Sequence, residues 1–203
     1  MSEIAVFADV SCPFAYVGLS RILAYREGLG PDASVLRVRS WPLEIVNGSP
    51  LTGQSLIPKV AALRRDVAPK LFAGFEPDRF PTTTLPALAA ESAAYAAGPT
   101  QGMGFSLAVR RRLFEDGADI GDQAVVDDLL DRLGLPRAGS AERAAVERDH
   151  QEGLARGVQG SPHFFTPSGG FFCPSLDIHH DDDGYDIEFD PVRFEEFVSA
   201  AFG

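Results

Sequence analysis

The stretch FADVSCPFAYVG, residues 7–18, decides how this chain is read. It emerges from a short apolar run, Ile4 to Ala8, that ends at Asp9, the pattern of a strand covered on both faces. Cys12 and Pro13 follow. Ala15, Leu19, Ile22 and Leu23 then recur at helical spacing until GLGPD, residues 28–32, stops the pattern. The reading is strand, tight turn and helix, with a thiol at the turn. Such a thiol meets unpaired backbone N–H groups and the positive end of the helix dipole, and both favour the thiolate. Helix N-termini lower a cysteine pKa from about 8.5 into the range of roughly 3.5–7.5. The expectation is a low-pKa nucleophile at Cys12, presented by Pro13 at the first helical position and faced by the backbone N–H groups of Phe14 and Ala15. The competing reading is a buried free cysteine acting as a small hydrophobe.

The 203 residues, 45% hydrophobic, suffice for one core, or for one core carrying a large insertion. With 18 basic and 29 acidic residues the net charge is −11, which repels phosphate backbones and anionic membranes. Neither nucleic acid nor a membrane is an expected partner. No apolar stretch approaches the roughly 20 residues that span a bilayer. MSEIAVFADV lacks the pattern of a secretory signal, so the expected compartment is the cytoplasm. Two cysteines are too few for a disulfide scaffold, which points to free thiols.

Val35 to Trp41 predicts a second strand and completes a right-handed βαβ unit, after which WPLEIVNGSP, residues 41–50, reads as loop. From residue 55 to 156 helical periodicity takes over. Leu56, Val60, Leu63, Val67 and Leu71 share one face, and further helices are predicted from Leu85 to about residue 97, from Gly104 to Asp116, from Asp122 to Leu133, and over the charged SAERAAVERDHQEGLARG, residues 140–157. Strands resume at His163 to Phe165 and Phe171 to Cys173, separated by the turn residues TPSGG. A second hairpin with an acidic tip, DIHHDDDGYDIEF, follows. Asp190 then caps a last helix with Phe194, Phe197, Val198 and Ala201 on one face. The contiguous HHDDDG lacks the alternation of a calcium loop and reads as a solvated tip, so no metal site is expected. Arg110, Arg111 and Arg112 fan over about 200° of a helix and read as a solvated face.

The order β-α-β, helical block, β-β-α, with DVSCPFAYVG at the first turn, GMGFSLAVRRRLFEDGADIGD in the helical block and GVQGSPHFF before the third strand, resembles the DsbA family in its cytoplasmic branch. That branch also includes the 2-hydroxychromene-2-carboxylate isomerases and kappa-class glutathione transferases. The resemblance implies an α/β thioredoxin-like fold whose first part is residues 1–54, whose helical insertion is 55–156 and whose second part is 157–203. It also implies that the Ser161–Pro162 peptide is cis, faces the cysteine turn and orients a thiol-bearing ligand. His163 receives no role.

The sequence departs from the redox members at one decisive place. They carry C-x-x-C, whereas this turn is Cys12-Pro13-Phe14-Ala15, so no local second thiol exists to resolve a mixed disulfide. The isomerase and transferase members carry serine at the position of Cys12 and contact the sulfur of bound glutathione. Three chemistries follow. Cys12 exchanges with glutathione or another low-molecular-weight thiol as co-substrate in a monothiol cycle, on a small thiol or a protein disulfide; or Cys173 is the resolving partner, which requires a Cα separation under about 7 Å; or Cys12 holds a thiol cofactor for an isomerisation or transfer. A non-catalytic protein that binds extended peptides is a fourth reading. The expected function is the monothiol oxidoreductase, with no covalently bound cofactor, and with monomer and homodimer both open.

Overall fold

The computed structural model describes residues 3–182 and 184–203. Its main sheet holds β1 (Glu3–Ala8), β2 (Val35–Ser40), β3 (His163–Thr166) and β4 (Gly169–Phe172) in the order β2-β1-β3-β4. β1 runs parallel to β2, with Ala8 opposite Ser40, and antiparallel to β3, with Phe7 opposite His163. β3 and β4 form the antiparallel hairpin expected around TPSGG. Ile4 through Ala8 are all buried because β1 is central and covered on both faces. Ile4, Val6 and Ala8 share a core with Leu19 and Ile22 of α1 (Pro13–Leu29) and Phe197 and Val198 of the C-terminal helix, whereas Ala5 and Phe7 pack with Trp41.

Among the described residues seven further α-helices follow: α2 (Leu43–Val46), α3 (Gly53–Ala62), α4 (Leu85–Ala97), α5 (Pro99–Phe114), α6 (Gln123–Arg132), α7 (Ser140–Ala155) and α8 (Pro191–Phe202). This is the mixed α/β, thioredoxin-like plan. The segment 41–50, expected as loop, contains the short helix α2. Pro42 accepts from the Ile45 and Val46 N–H groups, and the otherwise unpaired N–H of Leu43 finds the Asp9 carboxylate, so a tertiary contact stabilises a turn too short to show periodicity. α3 continues into a π-helical turn, Leu63–Val67, ahead of Leu71.

The helical core gathers Leu56, Val60, Leu88, Phe105, Val109 and Phe114, and it also includes Val10, Tyr16 and Val17. The helices thus pack on the end of the sheet that carries the cysteine. α7 joins this core through Val146 and also covers the sheet face opposite α1 and α8, where a Cβ on Gly153 would stand 2.5 Å from the Trp41 ring, so only glycine permits this approach. Asp190 accepts from the Arg193 N–H as the cap of α8. β5 (Leu176–Asp181) and β6 (Gly184–Phe189) form a separate two-stranded sheet. His179 pairs with Asp177 at 3.1 Å on its exposed side. The tip residue Asp183, like Met1 and Ser2 of the N-terminal stretch, lies outside the described residues. Among the described residues no helix is long and apolar enough to cross a membrane.

Candidate active site

Cys12 is the residue that precedes the first turn of α1, with Pro13 at the first helical position. It is extended (φ −78°, ψ 116°), and its carbonyl accepts the Tyr16 N–H at 3.1 Å. Its thiol donates to the Ser161 carbonyl at 3.0 Å. The Ser161–Pro162 peptide bond is cis. Cys12, Ser161 and Pro162, which lie some 150 residues apart in sequence, are therefore brought together.

The expectation of a depressed Cys12 pKa is corrected. Burial, which leaves the residue 4% exposed, pushes the thiol up, and the nearby charge of Asp9 adds to the effect. The Ser161 side chain and the N–H groups of Ala15 and Phe14 pull in the opposite direction without prevailing. The helix N-terminus does face the sulfur, but in the closed site desolvation outweighs it. The resting group is a thiol that donates, with thiolate-stabilising groups held in reserve.

Asp9 organises this turn and was not singled out in the sequence. Its N–H donates to Ser161 Oγ at 3.0 Å. Its carbonyl accepts from the Cys12 N–H at 3.4 Å and from Arg110 Nη2 at 3.3 Å. Oδ1 accepts from the Ser11 N–H and hydroxyl, both at 2.7 Å, and Oδ2 from the Leu43 N–H at 2.8 Å and the Thr84 hydroxyl at 3.1 Å. The carboxylate is fully buried, and burial raises its pKa against the pull of these donors. The available sequence signal was the Asp-x-Ser spacing, which lets an aspartate cap its own turn two residues on. Thr84 also lies 3.3 Å from Glu44 Oε2, so one hydroxyl proton serves two carboxylates.

The arginine run is corrected as well. Arg110 is completely buried, paired with Glu91 at 2.8 Å and bonded to the Ser106 hydroxyl and carbonyl at 2.7 and 2.8 Å. One face of α5 turns inward onto the cysteine turn, and Arg110 is the member of the run that occupies it, while Arg112 remains on the surface beside Asp116. Tyr16 ties α1 to the helices: its hydroxyl donates to Glu115 at 3.0 Å, and the same carboxylate accepts the Phe72 and Ala73 N–H groups at 2.8 and 3.1 Å. Burial and then Glu115 push the Tyr16 phenol well up, so it stays neutral.

Cys173 follows β4 directly, is buried, and takes φ +46°. Its N–H donates to the Pro162 carbonyl at 3.0 Å, one peptide along from the carbonyl that receives Cys12. Burial raises its thiol to about 12, with Cys12 adding. Both cysteines are free. His163 stacks on Phe165 at 4.5 Å and accepts from the Gln159 N–H, on the strand face opposite Phe164.

With this geometry in view, the family follows from comparison. The family described as DSBA-like thioredoxin domain matches residues 3–180. The chain belongs to that family. Among solved structures, this DSBA-like chain resembles a 2-hydroxychromene-2-carboxylate isomerase with a TM-score of 0.64 and 16% identity, over 84% of this chain and 88% of that one. It resembles the cytosolic disulfide reductase DsbM from Pseudomonas aeruginosa, solved with GSH, equally in TM-score (0.64) at 18% identity, over 83% and 88% of the two chains. A putative protein disulfide isomerase from Nitrosomonas europaea follows at 0.63 and 15%, over 83% and 87%. At such identities the likeness is one of fold. No curated protein matches the sequence.

Proposed function

We propose that this DSBA-like chain is a monothiol thiol–disulfide oxidoreductase in which Cys12 attacks a disulfide and a low-molecular-weight thiol, of which glutathione is the type, resolves the mixed disulfide. The observation that carries this reading is the 3.0 Å contact between the Cys12 sulfur and the carbonyl preceding cis-Pro162, at the N-terminus of α1. Ala15 leaves no thiol within the motif, so the second sulfur arrives from solution. Pro13 fixes the backbone of the turn, the N–H groups of Phe14 and Ala15 and the Ser161 hydroxyl receive the thiolate, and Ser161 with Pro162 orients the incoming sulfur. Burial raises both thiols, but hydrogen bonds from Ser161, Ala15 and Phe14 pull Cys12 back down, whereas Cys173, next to this loop, is lifted to about 12 and is the poorer nucleophile at neutral pH. A reducing compartment rich in small thiols, such as the cytoplasm, suits the cycle.

A second reading rests on a specific observation: the resting Cys12 is a hydrogen-bond donor, as a serine hydroxyl would be, and so could hold the sulfur of a thiol cofactor for an isomerisation. Intact-mass analysis after incubation with an oxidised small thiol separates the two. One adduct that disappears in Cys12→Ser and persists in Cys173→Ser supports the redox cycle. Absence of any adduct on Cys12 removes it, and a linked Cys12–Cys173 species replaces the small thiol with an internal one.

A further inference from the structure

The two edges of the main sheet are finished differently. At β2 the Tyr95 hydroxyl of α4 donates to the Leu36 carbonyl at 3.1 Å, and Asp149 of α7 accepts the Ser40 N–H at 3.0 Å, so side chains from two helices close that edge. The β4 edge is open. Phe171 pairs with Phe164, and the Cys173 N–H donates to the Pro162 carbonyl at 3.0 Å two residues further along the same ladder. Alternation in an antiparallel ladder therefore turns the N–H and C=O groups of Gly170 and Phe172 outward. Arg193 donates to the Phe172 carbonyl at 2.8 Å, which leaves that oxygen a second lone pair. Gly169, Gly170 and Phe172 are exposed, Phe172 at 38%, and GGFF, residues 169–172, holds neither the charge nor the proline that blunts an edge strand.

We propose that β4 is the interface of a homodimer, in which a second copy adds its own β4 antiparallel about a two-fold axis at Phe171 and joins the two four-stranded sheets into one. The dimer goes beyond the oxidoreductase reading and does not depend on it. In this register each Gly170 N–H donates to the partner's Phe172 carbonyl, and each Phe172 N–H donates to the partner's Gly170 carbonyl. Every outward group of the two residues is then satisfied. The occupant is a second copy because the edge is complementary to itself: the same two-fold operation that matches these groups lays each exposed Phe172 ring over a glycine, the pairing in which an aromatic side chain covers bare backbone. The fold keeps that position bare, since a Cβ on Gly170 would stand 2.8 Å from His163 Nε2. Two chains of net charge −11 repel one another, and β4 itself carries no charge. Added salt therefore screens the repulsion without breaking an ion pair on the strand, and strengthens the dimer.

Sedimentation velocity of the wild-type chain from about 1 to 200 μM, at about 0.05 and 0.5 M salt, measures the association. Hydrogen exchange of the backbone amides, resolved by NMR, locates it. The mass is expected to move from one chain toward two as concentration rises, and further at the higher salt. The Gly170 and Phe172 amides are expected to exchange more slowly in proportion to the dimerised fraction. Phe172→Lys places a charge on the edge and is expected to raise the dissociation constant about tenfold or more. The Phe172 ring also packs on Gly160, so the wild-type exchange measurement decides the matter even where that variant fails to fold. A monomer at every concentration and salt overturns the proposal and leaves the edge to another strand or to none. A dimer whose Gly170 and Phe172 amides exchange as fast as in the monomer also overturns it, because the contact then lies elsewhere.

Discussion

Arg110, fully buried in α5, donates to the carbonyl oxygen of Asp9 at 3.3 Å, and that same oxygen accepts the backbone N–H of Cys12 at 3.4 Å. The helical block therefore reaches the turn that presents the thiol through a guanidinium, and Thr84 at the start of α4 holds the carboxylate of the same residue. Arg110→Met strips the partner from the buried Glu91 carboxylate and is expected to cost about 3–5 kcal/mol in urea denaturation. Arg112→Ala, on the surface of the same helix, is expected to cost no more than about 0.5 kcal/mol.

Asp9→Asn tests the electrostatic side of this arrangement. The charge of Asp9 raises the Cys12 pKa, so its removal moves the pH midpoint of Cys12 alkylation downward. The amide also turns an N–H toward the Leu43 or Ser11 N–H donors, which predicts a stability loss of about 1–3 kcal/mol. Iodoacetamide rates across pH check the first effect and urea denaturation the second. An unchanged midpoint in a folded variant contradicts the role of the charge.

His163 gives the fold a pH dependence of known sign. Desolvation first, and Arg156 second, lower its folded-state pKa below the ordinary value of 6.5. The unfolded chain then binds more protons below that value, so stability is fully present above pH 6.5 and falls as the pH drops toward the folded-state pKa. His163→Asn keeps an acceptor for the Gln159 N–H and removes the titration. Urea midpoints measured from pH 7.5 to 5 are expected to fall less in this variant than in the wild type.

Two glycines are expected to respond with opposite sign. Gly153→Ala drives a methyl to 2.5 Å from the Trp41 ring and 3.1 Å from Phe7, both buried, for a loss of about 1–3 kcal/mol. Gly28→Ala, in the last turn of α1 with nothing within 4 Å of the new methyl, gains about 0.4–1 kcal/mol by restricting the unfolded chain. Thermal denaturation of the two variants measures both.

The strands and long helices were legible because their burial follows local pattern: the unbroken apolar run of β1 announces a strand covered on both faces, and Pro13 at the first helical position and the cap Asp190 mark helix starts by local chemistry. Cys12 and Ser161–Pro162 were legible as a site through motif and resemblance. What remained hidden depends on partners far apart in sequence. Arg110 carries no mark that separates it from Arg111 and Arg112 until α5 is packed, and α2 forms around a hydrogen bond from Leu43 to Asp9 that no local pattern encodes. The direction of the Cys12 pKa was misread for the same reason. Its local setting at a helix N-terminus favours the thiolate, but the burial that overrides it comes from the tertiary fold around the turn.

The central claim, that Cys12 alone carries the exchange, is tested most directly by the steady-state rate at which a small thiol reduces a disulfide substrate in the presence of wild-type, Cys12→Ser and Cys173→Ser protein. The account predicts that Cys12→Ser falls to the uncatalysed rate and that Cys173→Ser stays within about twofold of the wild type, as expected when its thiol takes no part in the chemistry. A Cys12→Ser protein that retains the wild-type rate, or a Cys173→Ser protein that loses it while folded, would contradict the account.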